Sequence, residues 1–481
     1  MFDAFQSQKM GDDSPDSSLH DKWLGQLTET GFAIKADVMK KGTNLTPPEL
    51  LKIAHDAFDE VNERAVKEGF ALKEADLGVL VNRLVALGQL TDLIASRDVE
   101  DIAINLGHIY AFTTSKGWQY IGPADNEVST LRVELGRQSQ RAPTYDIPIQ
   151  DAMLRILVWT ESGPTLRNVR VSFIDQPVSP YGPSVTLRIS RRRTMKDLEE
   201  GNLSKLTSGQ LPPIPRPAFE PKQFPETGKG VLSSAAANYL LSLMVNGGTL
   251  VVAGSTGSGK TYVAQMILQE MLSYFPKGTI RLFIVEDSQE IVLNGWDGDP
   301  GIDTQNIVYT ITRPETIEGP PEITMYDLVR AALRARPHGL VIGEARGPEA
   351  WELVRAASTG HGHSAFTIHA TDIDTVWPRF LQVARAHPDA TGLRDLDIAE
   401  GFSRAVNAIL FLERNTIEGQ IATEIAEVQA GVDPDVGIPV LRRLFSYDFG
   451  KKRLIPTGYT PLRKGFDCKA LNLPPALFQG Q

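Results

Sequence analysis

Apolar and polar positions alternate with two different periods along this chain, and the change of period divides it. Residues 1–20 are polar and rich in Ser, Asp and Gln, and are expected to be a disordered tail. Helical spacing begins near Asn44. Thr46 is suited to cap, Pro47 and Pro48 to fill a first turn, and Leu50, Leu51, Ile53, Ala54 and Phe58 to share a face. A second helix is expected from about Leu72 to Leu93, so that 21–95 form a helical N-terminal segment. From Val99 the period shortens. Ile102–Asn105, Ile109–Phe112, Gly117–Ile121, Val169–Phe173 and Ser184–Ile189 read as strands, with a helix expected over Pro148–Val158. Residues 96–204 are thus expected to be an α+β domain.

Residues 205–229 hold Pro212, Pro213, Pro215, Pro217, Pro221 and Pro225, which excludes a helix or a central strand and predicts a linker or a loop laid over a neighbouring surface. Beyond it, helix and strand patterns alternate: helices at 235–245, 262–274, 326–334 and 348–357, strands at 249–253, 280–285, 339–342, 365–368 and 408–412. This predicts a mostly parallel sheet with helices on both faces, and ligands at the carboxyl ends of its strands. Short strands at 423–428 and 440–447 extend this 230–481 domain.

Composition narrows the classes. The chain has 481 residues and a formal net charge of −10, which argues against non-specific nucleic-acid binding. Its one cysteine, Cys468, excludes an internal disulfide and a cysteine metal site, and fits a reducing cytosol. The sequence has no apolar run long enough to span a bilayer and no signal-peptide pattern, so a membrane role is expected to be peripheral.

The chemistry concentrates after the strand 250–253. Gly254, Ser255, Thr256, Gly257, Ser258, Gly259, Lys260 and Thr261 fit the phosphate-loop spacing, and Tyr262 opens the next helix. The glycines allow successive N–H groups to face phosphate oxygens, and the helix start favours an anion. Lys260 is placed to reach the β and γ phosphates of ATP, and the Thr261 hydroxyl to bind Mg²⁺. Glu286 and Asp287 end one strand and Glu344 follows another, supplying carboxylates to sit near the metal and to orient water. His361, His363 and His369 flank a third strand. Too few partners lie near them for a metal site. His369 is expected at the carboxyl edge as a γ-phosphate sensor, and His361 to share a positioning role. Arg188, Arg191, Arg192 and Arg193 cluster at the end of the α+β domain, either as a solvated face or as groups that reach phosphates.

These motifs, in order, resemble those of the secretion-ATPase superfamily of type II and type IV secretion systems, type IV pili and conjugation machines. The resemblance covers about residues 85–465. It rests on the phosphate loop, on the box Ile284–Glu290, on the box Arg334–Gly347, and on the histidine box Thr359–His361 through Thr367–Ala370. The closest branch looks like the type IV secretion and conjugation traffic ATPases and the tight-adherence pilus ATPases. The resemblance implies a RecA-like ATPase domain behind the α+β domain, a homohexameric ring, inner-membrane secretion or pilus partners, and a cytoplasmic, membrane-peripheral place. It also implies that Arg188, with Arg191, closes the site from the N-terminal domain. A pilus assembly or retraction motor, a nucleic-acid translocase or helicase, and a nucleotide-regulated scaffold are the competing readings.

Overall fold

The structure, a computed structural model, describes residues 15–40, 45–113, 115–139, 142–190, 217, 219–222, 232–293, 305–315, 319–415 and 419–479. It is a mixed α/β chain with an N-terminal α+β part and a C-terminal sheet part.

Four helices come first: α1 (Pro15–Lys40), α2 (Pro47–Lys67), α3 (Glu74–Val85) and α4 (Gln89–Ala95). The expectation of disorder over 1–20 does not hold for its described part, 15–20. Pro15–His20 already belong to α1, which buries Trp23 and Leu27 against the Ala54, Ala57, Val61 and Ala65 stripe of α2. Residues 1–14 lie outside the described residues. At the start of α2, the Glu49 carboxylate accepts from both the backbone N–H and the hydroxyl of Thr46. The single helix expected over 72–93 is broken. Ala86 and Gly88 take positive φ, and a Cβ on Gly88 would lie 2.6 Å from the buried Glu127 carboxylate. Glu127 accepts from the Gln89 N–H and so starts α4 separately.

The first sheet joins β1 (Val99–Asn105), β2 (His108–Thr113), β3 (Gly117–Pro123), β4 (Ile149–Thr160), β5 (Gly163–Ile174) and β6 (Ser184–Ser190), in the order β3-β2-β1-β6-β5-β4. A helix, α5 (Glu127–Ser139), packs on it. The helix expected over 148–158 is instead β4. It pairs antiparallel with β5 along its whole length, from Ile149↔Ile174 to Thr160↔Gly163, and Gly163 takes the positive φ of the turn. Leu154, Ile156 and Val158 alternate into the core beneath it.

The second sheet joins β7 (Thr249–Gly254), β8 (Arg281–Glu286), β9 (Asn306–Ile311), β10 (Gly339–Ile342), β11 (Ser364–His369), β12 (Ala408–Asn415), β13 (Gly419–Val432), β14 (Pro439–Asp448) and β15 (Arg453–Pro456). The order is β15-β14-β13-β12-β7-β11-β10-β8-β9, parallel from β12 to β9 and antiparallel from β12 to β15. Helices α6 (Ser234–Val245) and α7 (Lys260–Leu272) cover one face. Helices α8 (Met325–Leu333), α9 (Glu349–Ser358), α10 (Val376–Ala384) and α11 (Asp395–Ala405) cover the other. Part of the proline-rich stretch is described. Phe219 is buried on Tyr274, with ring centroids 5.2 Å apart, and Lys222 N–H donates to Asn238. Residues at the chain's end pack on the same face, with Leu471, Leu473 and Phe478 buried.

The two sheets meet at Arg281. Its guanidinium is fully buried and donates to Asn105, Asn306, Thr186 and the Ala335 carbonyl. Burial pulls its pKa down to about 9. Two further ties lie at the end of β9 and just beyond it: Ile311 N–H donates to Val178 O, and Arg313 donates to the carbonyls of Tyr145 and Asp146.

Candidate functional site

The phosphate loop leaves β7 at the carboxyl edge, between the ends of β11 and β12. Gly254 lies opposite His369 on one side and Leu412 on the other. No side chain fits there, since a Cβ on Gly254 would lie 2.2 Å from the Leu412 carbonyl. Gly257 and Gly259 have positive φ, and α7 starts at Lys260. The Ser258 hydroxyl donates to Ser255 O at 2.8 Å, and Lys260 Nζ to the same carbonyl at 3.0 Å. Burial lowers the Lys260 pKa, while Glu344 opposes that shift. Ser255 and Thr261 are half-buried, and Thr256, Gly257 and Tyr262 are exposed. The loop thus presents hydroxyls and backbone around one lysine at a helix start, an arrangement that can hold an anion.

The carboxylates reach the same edge. Glu344 follows β10, and Arg346 Nη2 donates to its Oε2 at 2.8 Å. That hydrogen bond, with Lys260 and His369 adding to it, holds the Glu344 carboxyl below its ordinary range. Glu286 ends β8 and is buried, accepting from Glu290 N–H at 3.3 Å and Ile291 N–H at 3.2 Å. Burial pushes its pKa up to about 7 against those two donors. Gly343 makes room for it, since a Cβ there would lie 2.9 Å from Glu286 Cγ. Asp287 is exposed and faces Arg346 Nη1 at 3.5 Å. His369 ends β11, half-buried beside the loop.

Two expected members are not brought here. His361 precedes β11, so the strand's length separates it from His369. It lies at the amino edge, its ring bonded to Pro337 O at 2.8 Å. Arg188 lies on β6, donating to Asp101 at 2.8 Å, and Asp101 also accepts from Arg336 just before β10. Both pairings belong to the amino edge, so within one chain Arg188 does not close the phosphate loop. Arg191, Arg192 and Arg193 lie outside the described residues. The sequence reading missed Arg346 and Glu349. Buried Glu349 accepts at Oε1 from Arg346 N–H at 2.7 Å and Gly347 N–H at 2.6 Å. The available signal was an acid in the first turn of α9, directly after the Glu344 loop.

A family model described as type II/IV secretion system protein matches residues 227–407, which hold the phosphate loop, both acidic strand ends and the histidine box. The chain belongs to the type II/IV secretion ATPase superfamily. It is 28% identical over 292 residues to a Mycobacterium tuberculosis protein named for conjugal transfer, covering 56% of this chain and 77% of that one. It is 29% identical over 183 residues to the type IV secretion system protein PtlH of Bordetella pertussis, covering 38% and 50%. The crystal structure of the VirB11 ATPase of the Brucella suis type IV secretion system superposes with a TM-score of 0.52 at 22% identity, over 72% of this chain and 97% of that one, and so shares the fold. Among the described residues, no helix is long and apolar enough to cross a membrane.

Proposed function

We propose that this secretion-superfamily chain is a Mg²⁺-dependent ATP hydrolase that works as a ring, hexameric by resemblance, and powers type IV secretion or conjugative transfer from the cytoplasmic side of the inner membrane. One observation carries this reading: Glu344 stands at the same sheet edge as the phosphate loop, electrostatically coupled to Lys260 and His369 and kept ionised. A carboxylate held charged at neutral pH can orient and activate a water for attack on a γ-phosphate.

Each remaining group has a task. Loop N–H groups and Lys260 hold the β and γ phosphates. Mg²⁺, when bound, neutralises phosphate charge, and Thr261 is the residue to ligate it, with Glu286 and Asp287 in its outer surroundings. Glu286 would have to turn from the Glu290 and Ile291 N–H groups to do so. His369 reports the γ-phosphate to β11. Arg188 lies at the opposite edge, so its role at nucleotide requires a second copy of the chain. Inner-membrane secretion or pilus components are the partners that the family resemblance implies for it.

The deciding experiment is Glu344→Gln in the full chain. ATP binding stays and phosphate release stops. Wild-type turnover in this variant would remove Glu344 from the chemistry and the reading with it.

A further inference from the structure

The guanidinium of Arg346 is exposed, and an exposed ion pair is worth little to stability, typically below ~1 kcal/mol. Its surroundings are nevertheless fixed. The Ala345 N–H donates to Thr367 O at 2.8 Å and the Thr367 hydroxyl to Gly343 O at 2.5 Å, which ties the start of the turn to β11. Buried Glu349 takes the N–H groups of Arg346 and Gly347, which ties its end to α9. From this pinned turn Arg346 reaches back to Glu344 and across to Asp287, the residue after β8. A cavity of about 510 Å³ opens beside it, lined in part by Asp287, Thr312, Arg313 and Glu349.

We propose that Arg346 is the positioning residue of the site: its planar fork bridges Glu344 and Asp287 and fixes the Glu344 carboxylate in the rotamer that faces the phosphate loop. The inference rests on the reading of Glu344 as the water-orienting group. A carboxylate on a flexible side chain must be held in one orientation to act on a water, and the guanidinium does this with one directed N–H to Glu344 while its other arm is anchored on Asp287, where an ammonium offers a point charge. Two acids on neighbouring strand ends also repel each other, and the cation between them removes that repulsion. The pinned backbone places the fork at the rim of the cavity.

The test compares wild type, Arg346→Ala, Arg346→Lys and Glu344→Gln as full chains, by steady-state phosphate release and by binding of a fluorescent ATP analogue. A misplaced reacting group costs up to about 100-fold, so Arg346→Ala should lower kcat by roughly 10- to 100-fold. Its KM and analogue affinity should stay within about threefold. Arg346→Lys should recover part of kcat, because an ammonium still pairs with Glu344 but does not bridge to Asp287. Should the alanine variant fold poorly, Arg346→Gln gives the same comparison with the side-chain size kept. The proposal is overturned if kcat of the uncharged variants stays within about twofold of wild type, or if the loss lies in KM alone. The two layers separate cleanly: an inactive Glu344→Gln beside a normal Arg346→Ala sinks only this proposal, whereas an active Glu344→Gln sinks the reading beneath it.

Discussion

The two edges of the C-terminal sheet carry similar residues and use them in opposite ways. At the carboxyl edge stand Lys260, Glu286, Glu344, Arg346 and His369. At the amino edge stand Arg281, Arg336, His338, His361 and His363, with Asp101 reaching in from the first sheet. At the amino edge the polar groups are spent. Arg281 is surrounded by oxygens of both sheets, His363 is bonded to Met244 O, and His338 accepts from the Arg281 N–H. At the carboxyl edge His369, at a strand end, and Glu344 and Arg346, on the turn after another strand, keep part of their surface exposed. The difference teaches that residue type does not mark chemistry here. The direction of a strand does, because a parallel sheet sends every loop that can meet a ligand to one edge.

The comparison breaks most visibly under two substitutions. Lys260→Ala should remove nucleotide binding or reduce turnover by about 100- to 1000-fold, as loss of a preorganised charge facing phosphate does, and leave the melting temperature near wild type. Phosphate release and thermal unfolding check both halves. Arg281→Met should do the reverse. It strips donors from Asn105, Asn306 and Thr186 inside a buried contact, at a cost of about 2–4 kcal/mol of stability. Turnover per folded molecule should hold. Denaturant unfolding with limited proteolysis of the full chain reads this. A large loss of kcat in Arg281→Met without loss of stability would show that the amino edge takes part in the chemistry.

How far the sequence reached follows the same line. The places of the loop 254–261, Glu286, Glu344 and His369 at one sheet edge were legible because each lies at or just after the end of a buried strand. The parallel core was legible because its strands are apolar runs bounded by turns. Residues 148–158 were misread as a helix because Met153, Leu154, Ile156, Leu157 and Val158 suit a helix as well as a strand, and β5, which decides the matter, is a separate stretch. Helix α1 falls largely within the segment 21–95 expected to be helical, but its start at Pro15 and its face were not read, because its buried Trp23 and Leu27 lie among polar residues. Arg188 was placed correctly on its strand but not in space. Its partner Asp101 is 87 positions away, and Arg336, which shares Asp101, lies just before β10 of the other sheet.

The two motif histidines sharpen the comparison at smaller scale. His369→Ala should lower turnover by about tenfold or more, since it removes a polar group beside the phosphate loop. His361→Ala should leave turnover within about twofold. Steady-state kinetics on both variants decides it. Equal losses would mean that His361 meets a site outside its own chain, on a neighbouring copy.

The smallest effect is the one that tests the amino edge as structure alone. His338 is buried, and its Nδ1 accepts from the Arg281 N–H, so the neutral ring carries its proton on Nε2. Burial, with His363, Arg336, Arg281 and His361 facing it, pushes its pKa down to about 3. Above about pH 6.5 the ring is neutral in both folded and unfolded chains, and it adds no pH dependence. Below that, the unfolded chain takes up a proton that the folded chain refuses, so stability falls as the pH drops from about 6.5 toward 3. His338→Asn keeps an acceptor for the Arg281 N–H and removes the titration. The stability advantage of wild type over this variant should therefore shrink by about 1 kcal/mol between pH 7.5 and pH 5.5, while turnover at pH 7.5 stays the same. Denaturant unfolding at the two pH values measures the difference directly, and other titrating groups cancel in it. A constant difference would mean that His338 accepts a proton without leaving its place, and that the amino edge is more open to water than its burial implies.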